Sequence, residues 1–246
     1  MFTVVMASDF TKLPRIYIDR AFTANATIKL ETAQTHYLKN VLRLKPGDFV
    51  RLFNGHDGEW LAPVTAFEKT ECIVTLKGKI REQPPKPMEM HLLFAPIKKD
   101  RMDFIIEKAV ELGVSDIHPV LTARTEVRKI NEERIKAQMI EAAEQCERFE
   151  MPVLHPLSEL KPKMAVWNQA VPLLWCRERG ESPHISTFKE SAWAFLIGPE
   201  GGFDDNEFAF LDGLPYVRPL SLGETVLRAE TAVILALGYA KMQGQA

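Results

Sequence analysis

Cysteine is scarce in this chain, long apolar runs are missing, and neither sign of charge dominates. Of 246 residues only Cys72, Cys146 and Cys176 are cysteines. They are scattered, with no Cys-x-x-Cys pair and no Cys/His cluster, which argues against a disulfide scaffold or a zinc site and for a reducing, cytoplasmic setting. Six histidines, His36, His56, His91, His118, His155 and His184, show no ligand spacing, so no metal is expected. The longest apolar runs, such as residues 232–237, fall far short of the roughly 18–20 residues that span a bilayer. The first ten residues (MFTVVMASDF) have no charged start of the signal-peptide kind, so no membrane partner is expected. GxxxxGK[ST], GxGxxG and GxSxG are also missing, which removes support for triphosphate hydrolysis, dinucleotide binding and Ser/His/Asp hydrolysis.

What remains is an ordinary globular composition, 46% hydrophobic, that excludes disorder as the main state. The 31 Lys and Arg against 33 Asp and Glu give −2, but the two ends of the chain differ. Residues 1–80 hold 11 basic and 8 acidic residues (+3), and residues 81–246 hold 20 and 25 (−5). A basic module that brings a polyanion to chemistry on an acidic one is one reading of that split.

The boundary falls at residues 82–89 (EQPPKPME), where Pro84, Pro85 and Pro87 remove donors and fix φ. Before it, strand-like runs at 15–18, 27–30, 48–53, 60–67 and 72–77 alternate with turn signals such as Pro46-Gly47-Asp48 and Asn54-Gly55. One helical stretch, 32–44, interrupts them. This spacing predicts a small β-barrel or sandwich over residues 1–81. After it, apolar runs at 91–95, 117–121, 171–176, 192–197 and 216–220 alternate with amphipathic segments. Met102, Ile105, Ile106, Ala109 and Val110 predict a helix over 100–112 that stops at Gly113. Asn131 followed by Glu132 and Glu133 predicts a second helix to about Arg148, with Ile135, Met139, Ala142 and Cys146 on one face. Residues 90–246 therefore read as α/β with a mostly parallel sheet.

The densest chemical signal is residues 196–207 (LIGPEGGFDDNE), an apolar strand running into three glycines and then Asp204 and Glu207 at capping-box spacing. Such a loop lets backbone approach a ligand, and the carboxyl end of a strand in an open α/β sheet is where ligands bind. Glu200 in mid-loop repels phosphate, so a cationic or zwitterionic ligand fits better. The second signal is residues 220–232 (LSLGETVLRAETA), where a strand ends and a final helix starts, apolar and expected to be buried over 232–239. Arg228 at its start is either half of a structural ion pair, with Glu230 or Glu200, or a positive group aimed at a substrate. Lys98, Lys99 and Arg101 just after a strand, and Arg148 at a helix end, suit a phosphate backbone.

Together these segments resemble the ribosomal RNA small subunit methyltransferase E family of the SPOUT class. The matching stretches are His36 to Leu38, Val41 to Asp48, Lys98 to Arg101, Glu107 to Val114, Glu144-Gln145 with Arg148 and Pro152, Ile197 to Phe203, and Leu222 to Ala232. The chain departs from the family pattern at Thr225, where a basic residue is usual, and at Ala229, where threonine is usual.

The resemblance implies a SPOUT-type parallel sheet with a deep trefoil knot, preceded by a PUA-like β-barrel that helps to hold RNA. It also implies a homodimer, S-adenosylmethionine as cofactor, and methylation of N3 of a uridine of 16S rRNA in the 30S subunit or its assembly intermediate. The cofactor would then lie against Leu174, against Leu196, Ile197, Gly198, Pro199, Glu200, Gly201 and Gly202, and against Leu220, Ser221, Leu222, Gly223, Val226 and Leu227. Arg228 would face the uracil, with Glu230 or Glu200 as proton acceptor or orienting partner. RNA would be held by Arg15, His36, Arg43 and Lys45, with Lys98, Lys99, Arg101 and Arg148 contributing from the second domain.

Overall fold

The proline cluster leaves residues 82–89 without helix or strand in the computed structural model, which describes residues 7–177 and 180–244. The chain forms two compact units. One runs to Pro85 and takes back Ala143–Glu150; the other comprises Lys86–Ala142 and the residues from Met151 onward. The division read from the sequence puts 143–150 with the second domain. The structure assigns this segment to the first, where Arg15 donates to the Ala143 carbonyl at 2.8 Å and Glu147 accepts from Arg51 at 2.9 Å and Arg81 at 2.8 Å.

In the first unit the strands are β1 (Arg15–Tyr17), β2 (Thr27–Leu30), β3 (Phe49–Phe53), β4 (Glu59–Phe67), β5 (Cys72–Thr75) and β6 (Gly78–Arg81), the last unmarked in the sequence reading. They form one sheet in the order β1-β3-β4-β5-β2, with β6 on β4. The order is possible because β4 is long and its register shifts between Val64 and Ala66, so that different parts of it serve different neighbours. Alternating residues such as Ile28 and Leu30 on β2, and Cys72 and Val74 on β5, fill one core together with Ile16, Val50, Leu52 and Leu38. The expected 32–44 helix is shorter: α1 (Thr32–His36) passes into one wider π-helical turn at Tyr37–Val41. Arg43 closes it at φ 58, with Leu42 N–H donating to the Tyr37 carbonyl and Leu44 N–H to the Leu38 carbonyl.

The first unit also buries charge. Glu59 is fully buried and accepts from Arg15 at 2.6 Å, Arg51 at 3.5 Å and Arg81 at 3.4 Å. The Arg15 guanidinium lies 3.4 Å from the centre of the Phe53 ring, and burial holds it below the ordinary arginine range. Two of the basic residues behind the N-terminal charge excess, Arg15 and Arg51, are thus paired internally with Glu59 and Glu147.

The second unit alternates strand and helix as expected: β7 (Met90–Phe94), α2 (Lys99–Leu112), β8 (Asp116–Leu121), α3 (Glu132–Gln145, its last residues in the first unit), β9 (Val153–Leu154), β10 (Ser158–Glu159), α4 (Leu160–Ala165), β11 (Leu173–Cys176), β12 (Trp193–Ile197), α5 (Asp205–Asp212), β13 (Val217–Leu220) and α6 (Ala229–Gln243). The sheet order is β10-β8-β7-β12-β11-β13 with β9 on β8, and its pairs are parallel. Its central strands are buried on both faces, which is why they read as unbroken apolar runs.

Asn131 caps α3 by accepting the Arg134 N–H at 3.0 Å, and Gly113 closes α2 in the left-handed region. The helix after Asn131 stops at Gln145, short of Cys146, because Glu147 turns the chain at φ 59. Asp204 and Glu207 form the expected capping box of α5, and the Glu207 carboxylate also accepts the Ala123 N–H at 2.8 Å. The final helix is not wholly buried: Leu235 is 42% exposed, alongside Phe104 of α2 at 41% and Met242 at 67%. Among the described residues no helix is long and apolar enough to cross a membrane.

Candidate active site

Strand order creates the site. β11 lies between β12 and β13, so the carboxyl ends of three parallel strands open side by side. A cavity of about 410 Å³ lies there, walled by the loops after β12 and β13, the end of β11 and the first turn of α6. That volume suits a small-molecule ligand. Gly198 is required by close approach, since a Cβ there would lie 2.7 Å from the Phe203 ring. That ring cannot give way, being buried edge-on against Trp175 at 5.5 Å. Gly223 takes φ 126, a backbone conformation that side chains disfavour, and its N–H and carbonyl both engage the Ser221 hydroxyl.

Electrostatics at the mouth differ from the expected pairing. Arg228 pairs with neither Glu230 nor Glu200; Arg101 does, at 3.7 Å and 3.3 Å. Arg228 occupies the N-cap of α6, is exposed, lines the cavity and forms no ion pair among the described residues. Glu200 also lines it, whereas Glu230 stands behind with Oε2 buried and without a hydrogen-bond partner. Burial pushes the thiol of Cys176, on the β11 side, up to about 12, which disfavours its thiolate.

Comparison with known proteins decides what this arrangement belongs to. The RNA methyltransferase domain model matches residues 84–241, and the RNA methyltransferase PUA domain model matches 30–77. The ribosomal RNA small subunit methyltransferase E of Rickettsia conorii is 34% identical over 95% of this chain and 97% of its own. The chain belongs to the ribosomal RNA small subunit methyltransferase E family. Two solved relatives share its fold. A Legionella pneumophila methyltransferase in complex with SAM has a TM-score of 0.86 at 30% identity, covering 94% of this chain and 98% of that one. A methyltransferase E from Neisseria gonorrhoeae bound to S-adenosylmethionine has 0.81 at 28%, covering 94% and 97%. The SPOUT-type parallel sheet and the N-terminal PUA-like domain expected from the resemblance are both present.

For this member of methyltransferase family E, the structure gathers Ile197, Gly198, Pro199, Glu200, Gly202, Ser221, Leu222, Gly223, Val226 and Leu227 around the cavity. Leu174, Leu196 and Leu220 do not reach it; each is fully buried within its strand, and the strand ends take over. Cys176 and Arg177 therefore line the cavity although the sequence does not mark them. Gly201 turns to a second, open cavity of about 680 Å³ lined by Lys98, Lys99, Asp100, Arg101, Arg124, Glu126 and Glu200. Glu200 is common to both cavities. Arg124, which donates to the Gly201 carbonyl at 2.8 Å, is a basic residue of this groove that sequence reasoning missed.

On the first unit His36, Arg43 and Lys45 are exposed, with Tyr37 at 43% and Val41 at 57% beside them in sequence. The two other residues expected to hold RNA on this unit are less exposed. Arg15 is buried against Glu59 and cannot present its charge to a phosphate. Arg148 is half-buried, and burial lowers its pKa.

Proposed function

We propose that this protein methylates N3 of a uridine of 16S rRNA in the 30S subunit or its assembly intermediate, with S-adenosylmethionine as methyl donor. The observation that carries this reading is the cavity at three strand ends, with Gly198 packed against the Phe203 ring and with the guanidinium of Arg228, in no ion pair among the described residues, on its wall. Its residues fit the cofactor. Backbone groups of the two loops supply donors and acceptors, and the carboxylates of Glu200 and Glu224 suit a ligand carrying cationic sulfur and ammonium groups. When bound, S-adenosylmethionine supplies an electrophilic methyl group on a sulfonium.

Uracil N3 carries a proton, and its loss leaves an anion spread over O2 and O4. Arg228 faces that developing charge and stabilises it. Glu200, on the cavity wall, accepts the N3 proton. Glu230 anchors Arg101 from the first turn of α6. Holding uracil and methyl donor in line supplies up to about 7–11 kcal/mol of the barrier reduction. The exposed apolar residues Phe104, Leu235 and Met242 support a homodimer, and the deep trefoil knot and a cytoplasmic location belong to the same reading.

Two results test it. Gly198→Ala drives a methyl group into the Phe203 ring, and overpacking of this kind costs about 1–3 kcal/mol. S-adenosylmethionine binding measured by calorimetry is expected to weaken by about 10–100-fold; unchanged affinity refutes the cofactor assignment. Arg43→Ala is expected to flatten the log–log salt dependence of RNA binding by about 0.7–0.9, one phosphate contact. An unchanged slope removes Arg43 from the RNA face.

A further inference from the structure

The sequence spaces its histidines as if none were ligands, yet three of them meet in the second unit. Parallel pairing of β7 with β8 sets His91 beside Asp116 in register, and His118 lies two residues along β8, hence on the same face. β9 pairs with β8 in the register Ile117 with Leu154, and His155 follows beside His118, the two rings stacked 3.9 Å apart. The cluster is at the amino ends of β7 and β8, whereas the cofactor cavity is at carboxyl ends of strands.

We propose that His91 Nδ1, His118 Nε2 and the Asp116 carboxylate bind a divalent transition-metal ion of the zinc type, leaving a coordination position for water. His91 Nδ1 lies 3.1 Å from His118 Nε2 and 3.7 Å from Asp116 Oδ2. A metal bonded at about 2.0–2.1 Å holds tetrahedral ligand atoms about 3.3–3.4 Å apart. All three donor atoms already lie within 4.8 Å of one another, so binding needs only side-chain rotation.

The groups behind the ligands are those a metal site uses. His91 Nε2 meets the Glu89 carboxylate at 2.6 Å, which keeps the proton on Nε2 and frees Nδ1. Asp116 Oδ1 meets His155 Nε2 at 2.7 Å, which orients Oδ2 toward the histidines. The His118 ring is buried, and its Nε2 faces His91 Nδ1. The Asp116 carboxylate offsets the nearby Lys163 charge. Two imidazoles and a carboxylate favour zinc, cobalt, nickel or copper over magnesium or calcium. His91 and Asp116 are partly exposed, which gives an ion a way in.

The test is titration of the full-length, chelator-treated protein with Co²⁺, followed by its visible absorption and by displacement with Zn²⁺. One ion per chain is expected, with Zn²⁺ raising the thermal midpoint. His91→Ala and Asp116→Asn, both at partly exposed positions, are expected to weaken binding at least tenfold while circular dichroism reports an intact fold. Glu89→Gln is expected to weaken it by about 10–100-fold through the ring it orients, and His184→Ala to leave it unchanged. Absence of binding by the wild-type protein at millimolar ion, or full affinity retained by either ligand variant, overturns the proposal. Neither result bears on methyl transfer.

Discussion

Arg228→Ala is expected to lower methyl transfer to 30S particles by about 10²–10³-fold, the usual cost of removing one donor aimed at developing negative charge. Affinity for S-adenosylmethionine should stay within about threefold, because the proposed function has loop backbone hold the cofactor. The size of the effect follows from the arginine's situation. Glu200 and Glu230 are paired with Arg101, so Arg228 forms no ion pair among the described residues and its guanidinium is available to the proposed uracil anion. Single-turnover rates with saturating cofactor and RNA isolate this step from binding. Arg228→Lys should recover part of the rate, since charge is kept but the planar fork is lost. A wild-type rate in Arg228→Ala contradicts the role.

Glu59→Ala should cost about 3–5 kcal/mol of first-unit stability, the loss seen when one partner of a buried ion pair is removed. Its carboxylate is fully buried under three guanidiniums, two of them, Arg15 and Arg51, themselves buried. Deleting it leaves those positive charges in a low-dielectric interior with the half-exposed Glu147 as counter-charge to Arg51 and Arg81. By contrast, Lys29→Ala breaks an exposed, solvent-screened pair with Glu71 and should leave stability nearly unchanged. Urea unfolding of the two variants checks both expectations, and equal losses in the two contradict the account of the buried cluster.

The contrast between Arg15 and Arg228 shows where sequence reasoning worked and where it stopped. The glycine turn after β12 was legible because its cause is local: an apolar run, three glycines, and a capping box three residues apart. The helix starts at Asn131 and Asp204, and the stop at Gly113, were legible for the same reason. Arg15 read as a surface cation because nothing near it in sequence announces Glu59, which reaches it from β4 across β3. Cys176 and Arg177 became cavity residues only through β11's place between β12 and β13. Leu174, Leu196 and Leu220 dropped out because the strands bury them one step short of their ends. The histidine cluster is the extreme case. Its members are 27 and 37 residues apart in the chain, and only the parallel registers of β7, β8 and β9 bring them together.

The most direct test of the central claim is incubation of the protein with labelled S-adenosylmethionine and 30S particles from cells lacking the gene, followed by mapping of the modified nucleoside. The account predicts label in a single 16S rRNA uridine, recovered as 3-methyluridine. Label in tRNA, at another base position, or in no RNA at all would contradict it.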